Sequence, residues 1–187
     1  MNKKIKKNKG MTYVELIVVL SIFAVLSSVV MFNYGEFQAR VDIKNLASDI
    51  ALKVVEAQKS SLSGLLPFAG YTLKPSYGVY FDTTTPTQLI YFADLNNDGV
   101  YNEVVAPIKF AKNIYNITGL KVVGCGSISE KNALSIVFKR PDSGATITTS
   151  DGPLPVCASY VQITVSSSNQ KTQAFIRIYP SGRVQVN

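Results

Sequence analysis

Apolar residues dominate the chain from Leu16 to Phe32, inside a segment, MTYVELIVVLSIFAVLSSVVMFNYG (Met11–Gly35), that carries one charge, Glu15. A helix that spans a membrane needs about 20 mostly apolar residues, so the pattern predicts a transmembrane helix over 11–35. From Glu36 polar and apolar positions mix. Ile43, Leu46, Ala47, Ile50, Val54 and Ala57 recur at helical spacing and make one apolar stripe. Lys44, Asn45, Ser48, Glu56 and Lys59 lie off it. No proline interrupts before Pro67, so one helix is expected from about Thr12 to about Ser63, ending near Gly64. Leu52 and Val55 fall off the stripe, as scattered exposed apolar residues or as contacts to a neighbouring chain. A coiled-coil seam is the weaker reading, because the stripe lasts only about two heptads.

Beyond Gly64 the pattern changes period. Gly, Pro, Ser, Thr, Asn and Asp punctuate short β-branched and aromatic runs at Gly78–Asp82, Gln88–Ala93, Leu134–Lys139, Ala145–Thr149, Val161–Ser166, Ala174–Tyr179 and Arg183–Val186. Leu134, Ile136 and Phe138 alternate with Ser135, Val137 and Lys139, and Val161, Ile163 and Val165 alternate in the same way. Such alternation predicts antiparallel strands with one buried face, and the amphipathic helix is the natural cover for it. The expected fold class is α+β: a long N-terminal helix, transmembrane in its first half and amphipathic in its second, packed on an antiparallel sheet, with more strands behind or beside it. The chain thus divides into a basic leader over 1–10, an apolar helix over 11–35, its amphipathic continuation over 36–63 and a β-rich head over 64–187.

Charge and composition narrow the function. The chain of 187 residues has no histidine and two cysteines. A Ser-His-Asp triad, a Cys-His pair and a four-thiolate metal site are therefore excluded. The net charge of +7 is uneven: Lys3, Lys4, Lys6, Lys7 and Lys9 supply five of the 19 basic residues, leaving 14 against 12 acidic ones. The body is nearly neutral behind a basic tag. Lysines directly before an apolar helix keep the N-terminus cytoplasmic and direct the rest of the chain to be exported.

Three readings meet at the front end. A cleaved secretory signal has the basic tag, but Met31-Phe32-Asn33-Tyr34-Gly35 offers no small-x-small cleavage site. A plain signal anchor leaves Glu15 unexplained. A carboxylate in hydrocarbon requires a partner, and no Lys or Arg occurs between Lys9 and Arg40. A cut after Gly10 would create an α-amine on Met11 near the depth of Glu15, and so accounts for the tag, the glycine and the glutamate together.

These residues, KGMTYVELIVVLSIFAVLSSVV, resemble the class III signal of type IV pilins and type II secretion pseudopilins. The resemblance covers roughly residues 3–60. It implies a pilin-like fold, cleavage between Gly10 and Met11 by the prepilin peptidase/methyltransferase, and N-methylation of Met11. Glu15 would neutralise the N-terminus of a neighbouring subunit during filament assembly. The implied partners are other pilin or pseudopilin subunits and the inner (cytoplasmic) membrane, with the exported head ending in a periplasmic or extracellular filament. Met11 replaces the commoner Phe, and Phe32 stands where many pilins carry a kinking proline, which leaves any kink to Asn33 and Gly35. The closing runs LSIVFKRPDSG and FIRIYPSGRVQV more weakly resemble the minor H-type pseudopilin and FimT-like branch.

Three groups in the head carry candidate chemistry. Asp94, Asn96, Asp98 and Gly99 match the first half of a calcium loop, D-x-[DN]-x-[DN]-G, with Val100 and Glu103 as further ligands. The usual closing glutamate position holds Val105, and Asn97-Asp98-Gly99 is equally a turn between strands. Calcium is thus the one cofactor the sequence suggests. Cys125 and Cys157 fall in the exported part, where a disulfide forms; it would close a loop of about 30 residues and contribute about 3–4 kcal/mol. Two buried thiols are the alternative. Pilins often carry such a staple near the C-terminus. Lys171, Arg177 and Arg183 make the C-terminal part basic. FimT-like pilins bind DNA through Gly-Arg-x-Arg, but Gly182-Arg183-Val184-Gln185 keeps only the first arginine. A solvated basic face is therefore the leading reading, and DNA binding the alternative. An anchored enzyme using Asp94, Asp98 and Glu103 is the weakest reading, since no nucleophile converges on them.

Overall fold

The computed structural model describes residues 10–67, 72–101, 106–109, 115–124, 126–167 and 170–187. The basic leader over 1–9 lies outside them. One helix, α1 (Tyr13–Ser63), runs through both the apolar and the amphipathic segments. Its first internal bond joins the Leu16 amide to the Thr12 carbonyl at 3.1 Å. It closes where the Leu65 amide reaches back to the Ser60 carbonyl at 3.1 Å. By contacts the chain divides into two units, one up to Gln38 and one of Ala39–Asn187.

In the first unit the helix exposes large apolar side chains all round. Leu16, Ile17, Val18, Val19, Leu20, Ile22 and Phe23 are all exposed, as are Val25, Leu26, Val29, Val30 and Met31. None of its most apolar stretch is buried. A helix apolar on every side is at rest only in lipid or inside an assembly of other helices. This one is long and apolar enough to cross a membrane.

The second unit is an α+β head. Its strands among the described residues are β1 (Ser76–Asp82), β2 (Gln88–Asp94), β3 (Ala106–Lys109), β4 (Tyr115–Gly124), β5 (Ser127–Lys131), β6 (Ala133–Phe138), β7 (Ala145–Thr149), β8 (Gly152–Pro153), β9 (Ala158–Ser167), β10 (Gln173–Ile178) and β11 (Val184–Val186). They form two sheets, in the orders β3-β2-β1-β6-β7-β8 and β11-β10-β9-β4-β5. All pairings are antiparallel. Ile43, Leu46, Ala47, Ile50, Val54 and Ala57, the whole predicted stripe, are buried in one core with both sheets. Val79, Phe81, Leu134, Ile136 and Phe138 come from the first sheet; Leu120, Val161, Ile163, Ile176 and Ile178 come from the second. The polar positions Lys44, Asn45, Ser48, Glu56 and Lys59 are exposed, and so is Leu52. At the helix end, the Ser61 hydroxyl bonds the Phe138 carbonyl, and Gln58 Nε2 donates to the Ser143 carbonyl at 2.8 Å.

Every predicted strand forms, with ends shifted by a few residues. The second sheet adds two strands that the pattern does not predict, β4 and β5. Its strand β4 carries a register shift between Ile117 and Gly119, so the inward Ile117, Leu120 and Val122 break the period of two. Strand β5 is mostly exposed and polar, which hides it from a search for apolar alternation. The expectation of one buried face also fails for β6, where Ser135 and Val137 are buried along with Leu134, Ile136 and Phe138.

A second apolar layer explains that burial. Across the outer face of the first sheet, Phe92, Gly78, Val137 and Thr146 stand in one row. Tyr101 closes over this region, stacked on Tyr80 at 4.7 Å between ring centroids and edge-on to Phe92 at 5.3 Å. Gly78 makes room for the layer: a Cβ there would lie 2.6 Å from the Ile136 carbonyl oxygen and 2.9 Å from both Phe92 and Val137. The Gly78→Ala variant should lose about 1–3 kcal/mol of stability through overpacking. A lower urea midpoint with an unchanged m-value would show it.

Candidate functional sites: the start of the helix and the loop after β2

Two places carry chemistry, one in each unit. At the start of α1, Glu15 and Thr12 bond reciprocally. The Glu15 amide donates to Thr12 Oγ1 at 3.3 Å, and the Thr12 amide donates to Glu15 Oε2 at 3.5 Å. This is a capping box, which satisfies two of the helix's orphan donors. Its T-x-x-E signature stands in the sequence, although the apolar run around it makes Glu15 look like a lone charge. The box holds the carboxylate back over the first turn, against the amide next to Met11. Gly10 and Met11 precede the helix and are exposed. A Met11 α-amine would therefore be one residue from a group the carboxylate already reaches.

The loop after β2 is built around Asp94, the last residue of that strand. Asp94 is 3% exposed. Its Oδ2 accepts the Gly99 amide at 3.0 Å, while Oδ1 is buried with no hydrogen-bond partner. Asn97 and Gly99 adopt positive φ, 58° and 81°, which coils the backbone back towards the strand. Asn96 Nδ2 donates to Asp98 Oδ2 at 3.0 Å, and the Val100 amide donates to Asp98 Oδ1 at 2.8 Å. Two neighbours pin the loop to the sheet: Ser76 Oγ bonds Asn97 Oδ1 at 2.8 Å, and Lys139 Nζ bonds the Asn97 carbonyl at 2.7 Å. In the sequence Lys139 shows only as one more basic residue. Its place beside the loop depends on the pairing of β1 with both β2 and β6, which no local pattern reveals. Burial pushes the Asp94 carboxyl above the usual carboxylate range, helped by the nearby Asp98 charge; the Gly99 amide, Lys139 and the Asn97 amide oppose this only in part. Glu103 lies outside the described residues. Among the described residues, no three His, Cys, Asp or Glu side chains group as a metal cluster; any ion here would need the Asn96 side chain and main-chain oxygen as well.

The remaining candidates are spread out. Cys157 is disulfide-bonded, and the one other cysteine of the sequence, Cys125, lies outside the described residues. Arg177 and Arg183 come together on the outer face of the second sheet, each over a tyrosine: Arg177 above Tyr160 at 5.2 Å, Arg183 above Tyr179 at 3.9 Å. The two tyrosines are 5.5 Å apart. Lys171 is not with them. It sits in the turn before β10, at the opposite end of that 6-residue strand from Arg183, about 20 Å away at the rise of an extended chain.

No family model, curated protein or solved structure matches the chain.

The raised Asp94 carboxyl sets a pH dependence. Its folded-state pKa lies above its unfolded value, so the folded head binds this proton more tightly and gains stability as pH falls through the folded pKa towards the unfolded one. In calcium-free buffer the Asp94 contribution should raise the melting temperature as pH drops below neutral. The Asp94→Asn variant should lack that part of the rise, and parallel profiles for the two proteins would contradict the assignment.

Proposed function

We propose that this chain is a structural subunit of a pilin-like filament, either a type IV pilus or a type II secretion pseudopilus. The basic leader is removed after Gly10, Met11 becomes the methylated N-terminus, and α1 holds the subunit in the inner membrane with its head exported. Assembly then moves the apolar half of α1 from lipid into a bundle of the same helices from neighbouring subunits. The work is packing rather than turnover. Subunits, the prepilin peptidase/methyltransferase and the membrane are the partners.

One observation carries this reading. A helix apolar on every side begins with a single carboxylate, already turned towards the chain's future N-terminus. In a plain anchor that acid serves the helix cap alone, and it is costly in hydrocarbon. An assembling subunit has a further use for it, because every neighbour brings an amine at the same depth. The head supports the reading by burying its own helix stripe completely, which leaves the first half of α1 as the surface for assembly.

Cross-linking in membranes of cells that also make the peptidase tests the proposal. Wild-type chain should give a ladder of oligomers. Glu15→Leu should insert and mature normally but lose the ladder, as the amine then has no partner. An undiminished ladder from Glu15→Leu would remove the carboxylate from assembly.

A further inference from the structure

Asp94 Oδ1 is a charged oxygen that the packing of the head leaves without a partner. Buried polar atoms are nearly always bonded, and an exception asks for an explanation. Among the described residues, the other buried oxygens without partners, on Ser135 and Ser166, belong to neutral hydroxyls. Asp94 is different: it is an acid, it is 3% exposed, the Gly99 amide bonds its Oδ2 and the Asn97 amide also attracts the carboxyl, yet Oδ1 itself has no hydrogen-bond partner. The unengaged oxygen belongs to the first residue of a loop in which Asp94, Asn96 and Asp98 offer side-chain oxygens at alternate positions. Asn96 and Asp98 are exposed and already bonded to each other at 3.0 Å, so this side of the loop is open to solvent.

The donor set selects the ligand class. Carboxylate, amide and main-chain oxygens suit hard cations, and neither sulfur nor imidazole is at hand for zinc or copper. A short loop without regular structure cannot impose the near-ideal octahedron that Mg²⁺ demands, whereas Ca²⁺ accepts irregular oxygen shells.

We propose that the loop from Asp94 to Val100 binds one Ca²⁺ ion, with Asp94 Oδ1 as its buried anchor and the oxygens of Asn96, Asp98 and the Val100 carbonyl as the other protein ligands. Asn96 and Asp98 give up their mutual hydrogen bond to the ion, and water completes the shell. Lys139 Nζ, 2.7 Å from the Asn97 carbonyl, keeps a positive charge beside the loop and weakens the site. Few protein ligands and a neighbouring ammonium place the affinity at the weak end found in extracellular modules, roughly 10⁻⁴–10⁻³ M. The ion steadies the segment that leads into Tyr101, and with it the aromatic layer over Gly78. None of this depends on how α1 is processed or assembled.

The test uses the full chain in detergent, with two probes. The first is the thermal melt in CaCl₂, MgCl₂ or chelator. The second is Tb³⁺ luminescence sensitised by tyrosine, usable because the chain has ten tyrosines and no tryptophan. At ten times the dissociation constant, Ca²⁺ should raise the folded-to-unfolded ratio about tenfold, Mg²⁺ should do much less, and Ca²⁺ should displace Tb³⁺. Asp98→Ala alters an exposed side chain, so it should fold and lose both responses; Asp94→Asn should lose them too. A wild-type melt that is the same in Ca²⁺ and chelator would overturn the proposal. So would an equal response to Mg²⁺, or an Asp98→Ala chain that responds as the wild type does.

Discussion

One helix has to satisfy two different surroundings. Up to Gln38, α1 presents branched and aromatic side chains on every side, and no part of the head lies in the same compact unit. From Ala39 onward the helix offers a single stripe, which the two sheets bury to the last residue. Neither half can trade places with the other. A stripe of Ile43, Ala47, Ile50, Val54 and Ala57 is too narrow to hold a helix in lipid, and the polar face behind it would be stranded there. The apolar half would in turn leave a very large hydrophobic surface in water. The two-sheet head is the consequence of the second half: its inner faces must cover one helix stripe.

The outer face of the first sheet shows a different compromise. Gly78, Phe92, Val137 and Tyr101 make a small apolar layer away from the main core. The chain reaches it only by coiling through the Asp94–Val100 loop, whose turns are held by Asx bonds, by Ser76 and by Lys139. The coil carries a carboxylate into the protein with half of its bonding capacity unused. A loop serving only as a turn would be better off with asparagine at that position, since a neutral group loses less on burial.

Much of this was legible in the residues. Helical spacing marked each stripe residue, because a helix against a core leaves a periodic signature whatever it packs on. Alternation found β1, β2, β6 and β7 of the first sheet and β9, β10 and β11 of the second, but not the short β3 and β8. It missed β4, where a bulge near Thr118 shifts the register halfway along. It also missed β5, which lies at a sheet edge with polar residues and has no buried face to display. The calcium-loop spacing was visible, but the burial of Asp94 and the approach of Lys139 come from strand pairings between residues far apart in the chain. The Thr12–Glu15 box was written plainly in four consecutive residues. Arg177 and Arg183 read as part of one basic group with Lys171, but Lys171 precedes β10 while Arg183 lies past its far end.

The central claim is that α1 begins, in the mature protein, with a new amine beside Glu15. Mass spectrometry of the N-terminal peptide tests it most directly, on chain extracted from membranes of cells that also make a prepilin peptidase. The account predicts a peptide that starts at Met11 and carries one added methyl group. A peptide that still contains residues 1–10 would contradict it, since Glu15 would then have only its own helix cap for a partner and α1 would be a permanent anchor.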